Sequence, residues 1–450
     1  DYNNYLMDKN KLDLIFKSYD IRGVFNEEIT PTDAYKIGKA FSNFVQSKEI
    51  IIGHDGRLSN LEMYSAVSAG VRSNGASVKY IGLVPTDVVY SVSGLLNLPG
   101  IVITASHNPK EYTGLKLCNS GAVPIGENSG LLEIKKDVLN MHHEEILFTE
   151  PQEPSSIQIY FDHINNLVNP TELSNEIHFG IDGGNGAIGS IIEDLKKQYN
   201  LNFESLYLDV DGSFPNHPAD PSDENNLQDL IKLVTTNKLD FGVAFDGDAD
   251  RAVFVDDKGK IISGSMMTTF IADYLNTKNN QLKVVHNVNV SPHAINLLNE
   301  KGIELIRTKV GHSNIKAVMR NENADFGGEH SAHFYYKENF FADSAILTLL
   351  VFLSIVSEKK KSINEMISAY NFPPCSGEIN FKVDNIQTSI NNIENIFDGD
   401  FDYLDGLSYF GKNFWFNIRG SNTEPKLRVN VEAETEELLS EVLEKISSNI

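Results

Sequence analysis

"EIIIGHDGRLSNLEMYSAVSAGVRSNGASVKYIGLVP", residues 49–85, sets one helix pattern between two strand patterns. Ile50, Ile51 and Ile52 form a β-branched run that stops at a Gly-containing turn, "GHDG". The stretch "SNLEMYSAVSAGVRSNG" (59–75) spaces its apolar residues as an amphipathic helix does and ends in Asn-Gly. "SVKYIGLVP" (77–85) then begins a second strand, and "GIVITAS" (100–106) a third. Short apolar runs bounded by glycine and separated by helices predict buried parallel strands, and so an α/β protein.

The pattern restarts after "FTEPQEPSS" (148–156), a Pro-rich polar linker. "IHFGIDGGNG" (177–186) predicts a strand and Gly turn, followed by the helix "SIIEDLKKQY" and the strand "LYLDV". "LDFGVAFDGDADRAVFVDD" (239–257) predicts strand, loop, strand. A third unit starts near 258, with strands in "KVVHNVNVS" (283–291) and near "DFGGE", closed by the apolar helix 345–356. "AYNFPPCSG" (369–377) is a further break. In the tail beyond it, "KLRVNVEAE" alternates apolar and polar residues, as a half-exposed antiparallel strand does. The expected domains are 1–152, 153–257 and 258–370, all α/β, and a smaller α+β domain, 371–450.

Composition narrows the function. The 450 residues carry 38 basic and 62 acidic side chains, a formal charge of −24. Such a surface repels nucleic acid and anionic membranes, so neither is an expected partner. An anionic substrate would need a local basic pocket. Two cysteines make no disulfide framework and no zinc site, and fit a reducing, cytoplasmic setting. The longest apolar run, "AILTLLVFLSIV" (345–356), falls short of the roughly 20 residues that span a bilayer. No basic region followed by an apolar core opens the chain, so no secretory signal is expected.

The sharpest chemical feature is "DGDADR" (246–251). Asp246, Asp248 and Asp250 recur at every second position, which in an extended loop turns them the same way. A hard divalent cation resolves the repulsion among them. An EF-hand wants Gly at its sixth position and Glu at its twelfth; Arg251 and Asp257 stand there instead. Mg²⁺ with positions left for a phosphate oxygen fits better, and Arg251 suits the same phosphate. The plain alternative is a solvated acidic turn.

Other stretches are weaker alone. "RGSNTEPKLR" (419–428) offers Arg419, Ser421, Asn422, Thr423 and Arg428 around a Gly-containing turn that could wrap a phosphate, or form a polar hairpin. In "GGEHSAHF" (327–334), Glu329, Ser331 and His333 alternate; they could hydrogen-bond sugar hydroxyls or form an exposed edge. "KVGHS" offers Lys309 and His312, and "YDIRG" offers Arg22, as phosphate ligands or surface loops. "GNGAIG" (184–189), with Asp209 about 20 residues on, matches a dinucleotide fingerprint and defines a rival, an NAD-dependent oxidoreductase. Asp182 beside that turn would repel a pyrophosphate.

"TASHNPKEYTGLKL" (104–117) holds Ser106, His107 and Lys116 in an expected loop. It contains no G-x-S-x-G elbow, and a serine hydroxyl needs activation to attack. Beside a Mg²⁺ loop, Ser106 makes sense as a phosphate carrier, with Lys116 as acid, base or fixed cation.

Taken in order, "YDIRG", "TASHNP…GLKL", "DGDADR", "GEHSAH" and "RGSNTEP" resemble the α-D-phosphohexomutase superfamily, nearest its phosphomannomutase/phosphoglucomutase branch. The resemblance implies three related α/β domains and a C-terminal α+β domain around a central cleft. It implies conversion between hexose 1-phosphate and hexose 6-phosphate, of mannose or glucose, through a hexose 1,6-bisphosphate. Ser106 would be the phosphoserine, and one Mg²⁺ would sit on Asp246, Asp248 and Asp250 with the Ser106 phosphate. His107 and Lys116 would serve phosphoryl and proton transfer, beside Arg22 and Arg251. Glu329 and Ser331 would read the sugar hydroxyls, with Lys309, His312 and His333 nearby. Arg419, Ser421, Asn422, Thr423 and Arg428 would hold the distal phosphate. The implied state is a monomer or weak homo-oligomer. A phosphoglucosamine mutase and a non-enzymatic sugar-phosphate sensor are the alternatives on the same scaffold. His330 stands where the branch usually has Met, and Gly420 where it usually has Ala or Pro, which bears on sugar preference.

Overall fold

The computed structural model describes residues 2–141, 148, 152–279, 281–420 and 426–450. The chain forms two compact units, Asp1–Ile262 with His333–Asn364, and Ser263–Ala332 with Glu365–Ile450.

In the first unit the strand Glu49–His54 lies between Ser77–Leu83 and Gly100–Ile103 and runs parallel to both. Ile50, Ile51 and Ile52 are fully buried between helices. The helices Pro31–Val45 and Asn60–Ser73 cross at two glycines. A Cβ on Gly38 would stand 2.4 Å from the Val67 carbonyl oxygen, and one on Gly70 2.1 Å from that of Tyr35. The sheet is mixed: Tyr112–Asn119 runs antiparallel to Gly100–Ile103, and Ile21–Val24 antiparallel to Tyr112–Asn119. This corrects the expected loop 104–117, because Lys116 lies on a strand and is paired with Val102. The apolar Leu115 and Leu117 bury on one face while Lys116 projects from the other.

A second mixed sheet has His178–Asp182 between the parallel strands Asn202–Leu206 and Phe241–Phe245, with Ala252–Asp256 antiparallel at the side of the latter. The strand expected at "LYLDV" lies four residues earlier, at Asn202–Leu206, and shares only Leu206 with it. Tyr207 takes φ +55°, the chain leaves the sheet, and Leu208 and Val210 pack onto Gly183, Gly189 and Gly56. The apolar run forms the buried helix Ala345–Lys359, whose Phe352 ring lies 4.8 Å from Phe241 and 4.5 Å from Phe254. Among the described residues, no helix is long and apolar enough to cross a membrane. The hairpin Phe334–Tyr336 and Ala342–Asp343 is pinned by Phe340, whose ring takes the space that a Cβ on Gly94 would need.

In the second unit Lys283–Asn287 runs parallel to Glu304–Thr308 and Phe326–Gly328. The tail forms an antiparallel sheet in the order Cys375–Lys382, Lys426–Ala433, Phe414–Gly420, Leu407–Phe410, Asp400–Asp402. Leu427, Val429, Val431 and Ala433 bury on one face, as the alternation predicts, and form one core with residues of the helices Ile386–Ile396 and Glu436–Ser447. Mixed α/β sheets and an α+β tail are the expected fold class.

Candidate active site

Two loops meet at the carboxyl ends of strands in the first unit, where open α/β sheets bind ligands. One follows Gly100–Ile103 and carries Ser106; the other joins Phe241–Phe245 to Ala252–Asp256 and carries the aspartates. The metal loop is a tight turn, not the extended segment expected. Ala249 takes φ +53° and its N–H donates to the Asp246 carbonyl over 3.0 Å. The turn still converges Asp246, Asp248 and Asp250, all buried, with one ligand atom of each within 4.8 Å of the others.

Ser106 is buried at φ +51°, and its Oγ donates to Asp246 Oδ2 over 2.9 Å. His107 Nδ1 is a weaker neighbour of that Oγ at 3.4 Å. Lys116 Nζ donates to Asp248 Oδ2 over 2.7 Å and to Asp250 Oδ2 over 2.5 Å. Arg251 Nε donates to Asp246 Oδ2 over 3.1 Å, and Arg251 Nη1 lies 3.7 Å from Asp220. Arg22 holds the serine loop from outside, donating to Asn108 Oδ1 over 2.6 Å and to Asp20 over 2.8 Å. His333 Nε2 lies 3.3 Å from Asp250 Oδ1.

Electrostatics assigns charge within this cradle. Burial, then Asp250 and Asp248, push the Asp246 carboxyl up to about 7. Burial would also raise Asp250, but Lys116, His333 and Arg251 outweigh it and hold it well below the carboxylate range. Burial would lower the Lys116 ammonium; Asp248 and Asp250 reverse this and hold it charged. Burial, then Arg251 and Arg22, hold the His107 imidazole well below its ordinary value, hence neutral. The donor set fits a hard divalent cation. It is all oxygen, it is buried, and Asp248 Oδ1 has no hydrogen-bond partner.

The structure adds residues that the sequence reading missed. Arg57 is buried and donates to four backbone carbonyls of the serine loop: Ser106 at 2.8 Å, Asn108 and Pro109 at 2.7 Å, and Tyr112 at 3.0 Å. Thr86 Oγ1 donates to Asp248 Oδ2 over 2.6 Å. The only sequence signal for Arg57 is a polar Asp-Gly-Arg at the end of a buried strand. The supposed dinucleotide turn supports the metal loop instead. The Ala187 N–H donates to the Gly247 carbonyl over 2.9 Å, and a Cβ on Gly186 would lie 2.8 Å from that oxygen. Asp182 is spent on Gly184 N–H and His217. The glycines serve backbone packing, which disfavours the oxidoreductase.

In the second unit Ser331 Oγ donates to the buried Glu329 Oε2 over 3.0 Å. The segment turns rather than extending, since Ala332 takes φ +66°, so the expected common facing of Glu329, Ser331 and His333 does not hold. Glu329 and Ser331 pair with each other, whereas His333 belongs to the first unit's cradle. Lys309 is exposed, and His312 starts the helix His312–Glu322 with Nδ1 3.4 Å from Lys316 Nζ. Arg419 and Arg428 face each other across two strands, and Glu378 joins both, at 3.2 and 3.3 Å. Gly420 is a packing glycine, because a Cβ there would stand 2.8 Å from Ile386. Ser421, Asn422 and Thr423 lie outside the described residues.

A buried serine, a triple-aspartate loop and a charged lysine, set on mixed α/β sheets, form a cradle suited to holding a metal ion and a phosphoryl group together. Family models cover nearly the whole chain. Those for the phosphoglucomutase/phosphomannomutase α/β/α domains I, II and III match residues 13–143, 158–259 and 263–371, and that for the C-terminal domain matches 378–448. The chain is 33% identical over 443 residues to a phosphomannomutase of Methanocaldococcus jannaschii, covering 97% of each. It is 34% identical over 446 residues to a protein of Xanthomonas campestris pv. campestris named phosphohexose mutases, covering 97% of this chain and 98% of that one. A phosphoglucomutase/phosphomannomutase family protein from Burkholderia thailandensis superposes with a TM-score of 0.85 at 28% identity, covering 97% of this chain and 96% of that one. The chain belongs to the phosphoglucomutase/phosphomannomutase family and is a mutase, an isomerase.

Proposed function

We propose that this mutase interconverts hexose 1-phosphates and hexose 6-phosphates, of mannose, glucose or both, with Ser106 as the phosphate carrier. The observation that carries the reading is the buried Ser106 Oγ, 2.9 Å from Asp246 in a cradle shared with Asp248, Asp250, Lys116 and Arg251. Relatives named phosphomannomutase, and family models named phosphoglucomutase/phosphomannomutase, favour mannose and glucose over glucosamine phosphates.

In the forward half-reaction, the bond between phosphorus and Ser106 Oγ breaks. A bond to the free sugar hydroxyl forms, and the hydroxyl proton leaves to a base. The neutral His107 is suited to receive a proton, and the charged Lys116 to neutralise or donate. The resulting hexose 1,6-bisphosphate reorients and returns its other phosphoryl group to Ser106, and the sugar oxygen regains a proton. Asp246, Asp248 and Asp250 would hold magnesium, which would supply charge neutralisation at the phosphoryl oxygens. Arg22 and Arg251 flank the transferred group. Glu329 and Ser331 read sugar hydroxyls, Lys309, His312 and His333 are further substrate-binding residues, and Arg419, Arg428, Ser421, Asn422 and Thr423 hold the distal phosphate.

The domain spans 1–152, 153–257, 258–370 and 371–450, a cytoplasmic location and a monomeric or weakly oligomeric state belong to the same proposal. Ser106→Ala removes the carrier and should lower kcat by several orders of magnitude. Wild-type protein incubated with bisphosphate labelled in both phosphoryl groups should retain label that the variant does not. Near-wild-type turnover by the variant would end the reading.

A further inference from the structure

We infer that His330 is a positioning residue that seats the Glu329–Ser331 pair from behind, and that it does not read the sugar. The inference rests on the proposed role of that pair. Ser331 Oγ reaches back to Glu329 Oε2 over 3.0 Å, which places these two side chains together. The His330 ring goes elsewhere: its Nδ1 lies 3.0 Å from Ser265 Oγ, in the first turn of the helix Gly264–Lys278. Ser265 Oγ in turn accepts from the Ser291 N–H over 3.0 Å. The same helix start presses on the turn's backbone, since a Cβ on Gly264 would stand 2.4 Å from both the Glu329 and the His330 carbonyl oxygens. With Gly264 fixed below and the imidazole tied to Ser265, the residues on either side of His330 have one seat.

The surroundings explain why the anchor is polar. His330 and Ser265 line a cavity of about 20 Å³ together with Asn289, Trp415, Asn430 and Glu432. Asn289 Oδ1, both side-chain amide atoms of Asn430 and Trp415 Nε1 are buried there without a protein partner. A cavity of this size exceeds the roughly 10–15 Å³ that one water needs, so it has room for a water to meet those groups. His330 therefore faces a wall that carries unpartnered polar atoms, against which the Met usual at this position would put a thioether.

The test compares His330→Met and His330→Asn with the wild-type enzyme. The Asn amide can reach the place of Nδ1. With mannose 1-phosphate and glucose 1-phosphate assayed side by side, His330→Met should raise KM for both by the same factor, about 3- to 10-fold, the loss of one hydrogen bond. Its kcat should hold, and His330→Asn should stay within about 2-fold of wild type. A change in the ratio of the two kcat/KM values beyond about 3-fold would make His330 a sugar reader. An unchanged KM would deny it any positioning role, and either result overturns the inference. Trp415, the only tryptophan in the chain, supplies a readout independent of activity. Its emission without substrate should shift in His330→Met and return in His330→Asn; no shift would also overturn the inference. A wild-type enzyme inactive on both sugars would instead sink the functional reading and leave the emission result standing.

Discussion

Asp87 and Asp250 are both buried, yet their carboxyls shift in opposite directions. Asp250 has Lys116, His333 and Arg251 to offset the cost of burial. Among the described residues Asp87 has only neutral donors, Ser344 at 2.5 Å and Tyr160 at 3.2 Å, and burial pushes it up to about 7. A folded value above the unfolded one means that the native state binds more protons between the two. Asp87 then contributes stability at low pH that is lost as pH rises toward about 7. Asp87→Asn keeps an acceptor and removes the titration. The melting temperature of the variant minus that of wild type should grow by a few degrees from pH 5 to pH 8. A difference that is flat with pH would place the Asp87 value near that of an exposed carboxylate. At this scale the sequence exposed residues whose chemistry is local. Asp246, Asp248 and Asp250 declare themselves by type and spacing, as Ser106 does by its neighbours in order. Asp87, Thr86 and Arg57 do not, because their importance comes from burial and from partners distant in sequence.

At the level of elements, the site depends on loops held by other loops. The serine loop hangs on one guanidinium that reaches four carbonyls, and a lysine at position 57 could not span them. Arg57→Lys should therefore lower kcat by up to about 100-fold through misplacement of Ser106, with the circular dichroism spectrum retained. Unchanged kcat would show that the loop holds its shape without the clamp. Strand and helix alternation was legible from the periodicity of residues 49–85 alone. Strand direction was not: Tyr112–Asn119 returns antiparallel after the serine loop, and it delivers Lys116 from a strand. The apolar "LYLDV" mimicked a strand because Leu208 and Val210 pack, half-buried, against glycines outside the sheet. Packing without pairing leaves the same trace in sequence as packing within a sheet.

Across the whole molecule, the order of motifs along the chain revealed the family more surely than any one of them. A charge of −24 sets the remaining problem, which is how so acidic a protein receives anions. In the aspartate cradle, Lys116 already spans Asp248 and Asp250 and offsets part of their charge from within. Stripping magnesium with a chelator should thus abolish turnover while moving the melting temperature by no more than about 3 °C, unlike small domains that unfold without their metal. Collapse of the melting transition on chelation would show that the cation, not the lysine, holds the loops. The arginine pair solves the problem differently. Glu378 joins Arg419 and Arg428, which oppose each other across their strands. If this pair is the phosphate clamp, loading it is an anion exchange, in which the incoming phosphate must evict a carboxylate of the protein's own. Net affinity is then the difference between two anions, and Glu378 sets a threshold that weakly charged competitors fail to cross. Glu378→Gln should lower both KM and the inhibition constant of inorganic phosphate, by roughly 2- to 10-fold each. Weaker phosphate inhibition in that variant would mean that Glu378 aligns the arginines instead of competing for them.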